Sequence, residues 1–279
     1  MLLLGKTMNP NVKLRNDWEI VRESPYCQYK IASHLDLNRS FYRFMRKEVF
    51  DNMLRGTFRF SNPSCWNDPY EKLFVNGNFD AIKYTKPTVY AACFTREPNS
   101  DASWKVYTED KENDPCIRVE FDMNRFIEAL CFAGNQVDRF QLYIGDMSYD
   151  LQNNSLCALG KRTSKYHYLA FPEPFSDDNF VDLLLLKRKS FKYEQESRLI
   201  ILSDIEQEDS ISLNYAPMLL QSFVKSIQIS PLCPDKKAHE LIYEIQKSVD
   251  ALGRIPNGYD IEVGQSNLYK NVLPITVER

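Results

Sequence analysis

Short segments with a two-residue apolar alternation recur along this chain of 279 residues, and helical stretches interrupt them in no regular order. Residues 40–44 and 57–60 alternate as strands, with Phe58 and Phe60 on one side. Between them, residues 47–54 put Val49, Phe50, Met53 and Leu54 on one helical face, and Gly56 stands where a C-terminal cap belongs. Residues 89–95 form a near-continuous apolar run, the mark of a buried strand, and residues 116–121 alternate cleanly. Asp122 is placed to cap a helix over 123–131. Further strands are expected at 140–145, 198–202, 224–229 and 261–263. Helices are expected from 181 into Lys187-Arg188-Lys189 and over 236–252, the latter capped by Asp235. The rest of 133–180 reads as loops and short helices. Strands and helices without βαβ alternation predict an α+β fold, a mixed and mostly antiparallel sheet core with peripheral helices. Residues 1–25 read as an N-terminal lead-in and 26–279 as a single α+β domain.

Composition narrows the function classes. Only nine glycines occur, with no G-x-G-x-x-G and no P-loop, which disfavours the standard nucleotide folds. No apolar run approaches the roughly 20 residues that span a bilayer, and the opening Met1 to Leu4 is too short for a signal-peptide core. Seven scattered cysteines without a C-x-x-C pair fit a reduced interior, so a cytoplasmic location is expected. None of the three histidines lies near a cysteine at ligand spacing, so no metal site is expected. A net charge of −3 creates no global attraction for nucleic acid; contact with it would need a local basic patch. Sixteen Tyr, seventeen Phe and three Trp point to a deep core with some stacking surface.

Two stretches concentrate chemistry. Residues 61–71 crowd Ser61, Asn62, Asn67, Asp68, Tyr70 and Glu71 around two prolines directly after a strand. They read either as a rigid turn whose Asn and Asp bond their own backbone or as a polar loop held over a pocket. Glu194-Gln195-Glu196 precedes an apolar strand, and alternation there would point both carboxylates into one cleft. Two like charges that close raise each other's pKa or clamp a hydroxyl or cation; the other reading pairs them with Lys192 or Arg198 at a surface edge. Trp104 and Tyr107 offer either a flat wall for a base or plain core. Lys187 to Lys189, with Lys192 and Arg198, read as a phosphate-neutralising patch or a solvated helix end.

FRFSNPSCWNDPYE (58–71), ACFT (92–95), Ser103-Trp104 with Tyr107, and FKYEQESRLI (191–200) resemble the signature blocks of a bacterial domain-of-unknown-function family, over about residues 40–270. Trp66 stands where that family usually has Phe. The layout is also similar, more loosely, to ADP-ribosyltransferases, whose late strand is led by E-x-E or Q-x-E. That resemblance implies Glu196 as the catalytic carboxylate and Glu194 as its auxiliary. It implies Tyr42 and Arg43 on the first strand, Ser61 as a brace for the glutamate, and Asn67, Asp68, Tyr70 and Trp104 around the cofactor. NAD would be the substrate, its ribose developing positive charge over a fixed carboxylate, while a second carboxylate deprotonates the nucleophile. It implies a toxin or phage-defence effector that modifies a protein or nucleic acid and has an antitoxin or chaperone protein as partner. Two other readings stand beside it. One is a nuclease holding Mg²⁺ with Asp68, Glu71, Glu194 and Glu196, although Ser197-Arg198 follows where many nuclease cores carry lysine. The other is a non-enzymatic binding module.

Overall fold

The computed structural model describes residues 18–23, 27–32, 34–80, 83–108, 110, 114–133, 140–151, 175–204 and 209–269. Its strands are β1 (Trp18–Glu23), β2 (Cys27–Ala32), β3 (Phe41–Met45), β4 (Thr57–Ser61), β5 (Thr88–Thr95), β6 (Ile117–Phe121) and β7 (Phe140–Asp146). They continue with β8 (Ser148–Leu151), β9 (Leu186–Arg188), β10 (Glu196–Ser203), β11 (Ser210–Asn214), β12 (Val224–Ile229) and β13 (Glu262–Gln265). The helices are α1 (Lys47–Leu54), α2 (Pro69–Val75), α3 (Asp101–Tyr107), α4 (Met123–Ala133), α5 (Asp177–Leu184), α6 (Leu220–Phe223) and α7 (Asp235–Ala251). The architecture is mixed α and β, with a large mixed sheet and several helices. The expected α+β class holds at that level.

The chain gathers into two compact units. The first comprises Met1–Leu35, Phe60–Cys93 and Val137–Ile211, and the second Asp36–Arg59, Phe94–Gln136 and Ser212–Arg279. The stretch read as a lead-in contains β1, a strand of the first unit. Much of the interval 133–180 read as loops and short helices, namely 134–139 and 152–174, lies outside the described residues.

In the first unit β1 pairs antiparallel with β2, β2 parallel with β7, and β7 antiparallel with β10, which neighbours β5. A parallel pair between β2 and β7 cannot come from a hairpin; it needs a long connection, and the two strands are far apart in the chain. Val89, Ala91, Tyr143, Ile200 and Leu202 of these strands bury against Phe180, Val181 and Leu184 of α5 and Phe74 of α2. Strand β10 is buried along its whole length, which explains why Leu199 to Leu202 form an unbroken apolar run rather than an alternation. Gly145 is required where it stands: a Cβ there would lie 2.6 Å from Leu185 Cδ1 and 3.3 Å from the Trp18 ring.

In the second unit β3 pairs antiparallel with β6, β6 antiparallel with β12, and β12 parallel with β13. Its core is aromatic. Phe58, Phe94, Phe121, Phe126 and Phe223 pack with ring centroids 4.7–6.4 Å apart, most of them edge to face or tilted, as the ring quadrupoles favour. Helix α1 covers the residues whose apolar spacing predicted it. It ends at Gly56, whose φ of +84° no side chain adopts cheaply and whose missing Cβ would fall 2.2 Å from the Tyr215 carbonyl. Asp122 caps α4 as expected, its Oδ1 accepting from the Arg125 amide at 3.2 Å.

Candidate functional site

The first unit buries a cluster of seven charged side chains. Its floor is β10, whose pleat sends Glu196 and Arg198 to the same face, and the two bond at 2.6 Å between Arg198 Nε and Glu196 Oε1. Arg198 also donates through Nη1 to the Leu184 carbonyl at 2.9 Å and through Nη2 to Glu71 of α2. The Trp66 ring covers the guanidinium at 4.7 Å. Lys187 of β9 sits at the centre. Its ammonium reaches Glu194 Oε2 and Glu196 Oε2, each at 2.6 Å, and Glu71 Oε1 at 3.2 Å. Beside it Arg188 donates through Nη2 to Asp68 Oδ2 at 2.8 Å, its guanidinium 4.3 Å from the Tyr70 ring and 4.8 Å from the Phe191 ring. The Arg188 Nε is buried and finds no acceptor among the described residues.

Local sequence explains how these groups are held. Asn62 Oδ1 accepts from the Ser64 amide at 2.9 Å to start a short 3₁₀ turn, and Asp68 Oδ1 accepts from the Tyr70 amide at 2.9 Å to start α2. The loop is therefore a self-bonded turn, and it also carries chemistry, because the second Asp68 oxygen points to Arg188. Glu194 closes a 3₁₀ helix, Lys189–Glu194, and Gln195 follows in the left-handed conformation at φ 44° and ψ 48°. The two glutamates thus converge through a turn rather than through the strand alternation expected of them. A non-glycine residue in that region costs about 1 kcal/mol and draws attention when it separates two candidate carboxylates.

The environments drive those carboxylates apart. Burial works to raise the Glu196 carboxyl, yet the charges of Arg198 and Lys187 outweigh it and hold the group down at about 2. Glu194 moves the other way: burial pushes it up, the Lys187 bond resists, and the neighbouring Glu196 and Glu71 charges add to the rise. Glu196 is buried, while the Glu194 side chain keeps 29% of its surface exposed. Lys187 is held well above the ordinary lysine range, because Glu196 and Glu71 outweigh the desolvation that lowers it. Burial raises the Cys93 thiol, which hydrogen-bonds the same Glu196. The Tyr149 hydroxyl accepts from the Glu196 amide at 2.7 Å, and burial pushes that phenol up to about 12.

Set against the sequence reading, Glu194, Glu196, Asp68 and Tyr70 come together here, whereas Asn67 is exposed on the turn. Ser61 pairs with Ala91 in the sheet and is not among the partners of Glu196; Arg198, Lys187 and Cys93 are. Tyr42, Arg43 and Trp104 belong to the second unit. There the Arg43 guanidinium lies 4.8 Å from the Phe58 ring, and Trp104 is fully buried against Phe44. Lys187 and Arg188, read as a helix end or phosphate patch, turn inward, because four carboxylates and two rings await them. Their partners lie 7 to 120 residues away. The only available signal was the balance of charge between residues 187–198 and the 68–71 turn. The four carboxylates expected around Mg²⁺ meet amino and guanidinium groups, and no group of three or more His, Cys, Asp or Glu among the described residues is placed to hold a metal ion. No helix among these residues is long and apolar enough to cross a membrane. No family model, no curated protein and no solved structure matches the chain.

Proposed function

We propose that this chain is an NAD-consuming, ADP-ribosyltransferase-like enzyme whose reacting centre is the charged cluster of the first unit. The observation that carries the reading is the split between Glu194 and Glu196 across one ammonium. Two carboxylates whose environments push their pKa values apart are the usual arrangement for dividing acid–base work. Glu196, held ionised, supplies the fixed negative field that favours positive charge developing on a ribose. Glu194, raised and partly exposed, accepts the proton of the incoming nucleophile as the nicotinamide leaves with the bonding pair. These are the roles that the resemblance implies, with Glu194 as the group that meets the incoming nucleophile. A dinucleotide's diphosphate suits Arg188, whose Nε lacks an acceptor among the described residues and whose guanidinium lies against the rings of Tyr70 and Phe191. A macromolecular target, protein or nucleic acid, and the role of toxin or phage-defence effector with an antitoxin or chaperone protein complete the proposal.

The test incubates the purified chain with NAD labelled on its adenylate and a bulk cell lysate, then separates protein, RNA and DNA. Label is expected in one fraction and is expected to fall at least a hundredfold with Glu194→Gln, a change that keeps the side chain's size. Intact NAD and no labelled fraction with the unaltered chain would end the proposal. Full labelling by Glu194→Gln would remove Glu194 from its role.

A further inference from the structure

The second unit buries a cation that makes no contact with a carboxylate among the described residues. Arg118 of β6 is 5% exposed and makes no ion pair among the described residues. Its Nη1 donates to the Pro98 carbonyl and, at 3.4 Å, to Asn99 Oδ1, while its Nε is buried with no acceptor among the described residues. The guanidinium carbon lies 5.0 Å from the Tyr42 ring and 6.0 Å from the Trp104 ring. Trp104 supplies a second orphan: it is fully buried, and its indole Nε1–H also has no acceptor among the described residues. Glu120, two residues along the same strand face, does not neutralise the guanidinium by contact. Its two oxygens are taken by Ser40 at 2.6 Å and Ser226 at 2.8 Å.

Buried N–H groups are almost always paired, so two orphan donors from different elements around one guanidinium call for an acceptor that neither element provides. A water molecule accepts from both but brings no counter-charge to the arginine. A small oxyanion does both, one oxygen to each donor at the usual ~2.9 Å. We infer that Arg118 and Trp104 form a binding site in the second unit for one small oxyanion, a carboxylate or phosphate group. Half-buried Tyr42 and exposed Asn99 mark the side open to solvent, and an entering anion displaces the long Asn99 contact. Burial lowers the Arg118 guanidinium from its ordinary value, and Tyr42 and the nearby Glu120 charge only partly oppose it.

The indole N–H of Trp104 reports the site directly. In the ¹⁵N-labelled full chain, the signal lost in Trp104→Phe identifies it, and inorganic phosphate and acetate are titrated separately at constant ionic strength against chloride. Saturable movement of that signal with phosphate alone assigns a phosphate-bearing ligand, and movement with acetate alone a carboxylate. Arg118→Gln is expected to weaken the response at least tenfold. Arg118→Lys, which keeps the charge without the Nε donor, replaces it if the first variant does not fold. Arg188→Gln, which removes the orphan guanidinium of the first unit, leaves the Trp104 response in place. A Trp104 signal that ignores both anions, or follows them equally without the Arg118 guanidinium, overturns the inference.

Discussion

Two arginines, each on a strand and each buried, show how differently the two units treat charge. Arg198 in the first unit donates to two glutamates and a carbonyl and is covered by Trp66. Arg118 in the second donates to one carbonyl and one amide oxygen and has no carboxylate in contact among the described residues. Burial acts to lower both. For Arg198 the charge of Glu196 outweighs it and the guanidinium is held above its ordinary range, while for Arg118 burial prevails. A buried cation is therefore stable or costly according to what faces it, and exposure alone does not tell the two apart.

The largest expected effect comes from breaking the saturated side of that comparison. Arg198→Ala leaves Glu196 and Glu71 with Lys187 as their one remaining cation and should cost about 3–5 kcal/mol, the range for a buried pair that loses one partner; urea unfolding measures it. A loss below 1 kcal/mol would mean that the cluster admits water freely. Next is acid. Glu196 has a folded value of about 2 against an ordinary 4.5. Its stabilisation is fully present above pH 4.5 and drains away as pH falls toward 2, on the order of 3 kcal/mol in all. Glu194, raised in the folded state, acts in the opposite sense, so Glu194→Gln should steepen the acid limb and Glu196→Gln should flatten it. Thermal midpoints between pH 2 and pH 6 decide this, and an unchanged profile in Glu196→Gln would remove the cluster from the explanation.

Arg118→Met should behave unlike Arg198→Ala. Without added anion it is expected to change stability by no more than about 1 kcal/mol, or to raise it, since an apolar side chain replaces a desolvated charge. A loss as large as that of Arg198→Ala would show Arg118 to be fully compensated already. The smallest effect belongs to an exposed pair. Lys105 meets Asp101 at 2.9 Å with both side chains at least half exposed, and Lys105→Ala should leave the unfolding midpoint where it is.

The regular elements were legible wherever one physical pattern acted alone. Helix α1 and strand β12 lie where their spacing put them, because one apolar face was enough to specify each. Strand β1 was missed: the sequence around Trp18 to Glu23 alternates weakly, and its strand conformation depends on pairing with β2. The turn at Gln195 was missed for a related reason, since only a tertiary contact such as Lys187 makes a left-handed glutamine worth its strain. Of the candidate site, Glu194, Glu196, Asp68 and Tyr70 could be found as polar groups beside strand and turn signals. Glu71 could be found in the same way, whereas Lys187 and Arg188 were visible only as part of a basic stretch.

By itself the sequence determined the class of fold, caps such as Asp122, and which carboxylates stand next to a buried strand, because these depend on residues within a few positions of one another; Asp235, expected to cap α7, is instead its first helical residue, after Pro234. Only the tertiary structure decided which of those carboxylates is locked and which can move a proton. It also decided which buried arginine has its counter-charge and which lacks one. Electrostatic energy falls with distance in space and grows as water is excluded, and neither quantity is written along the chain.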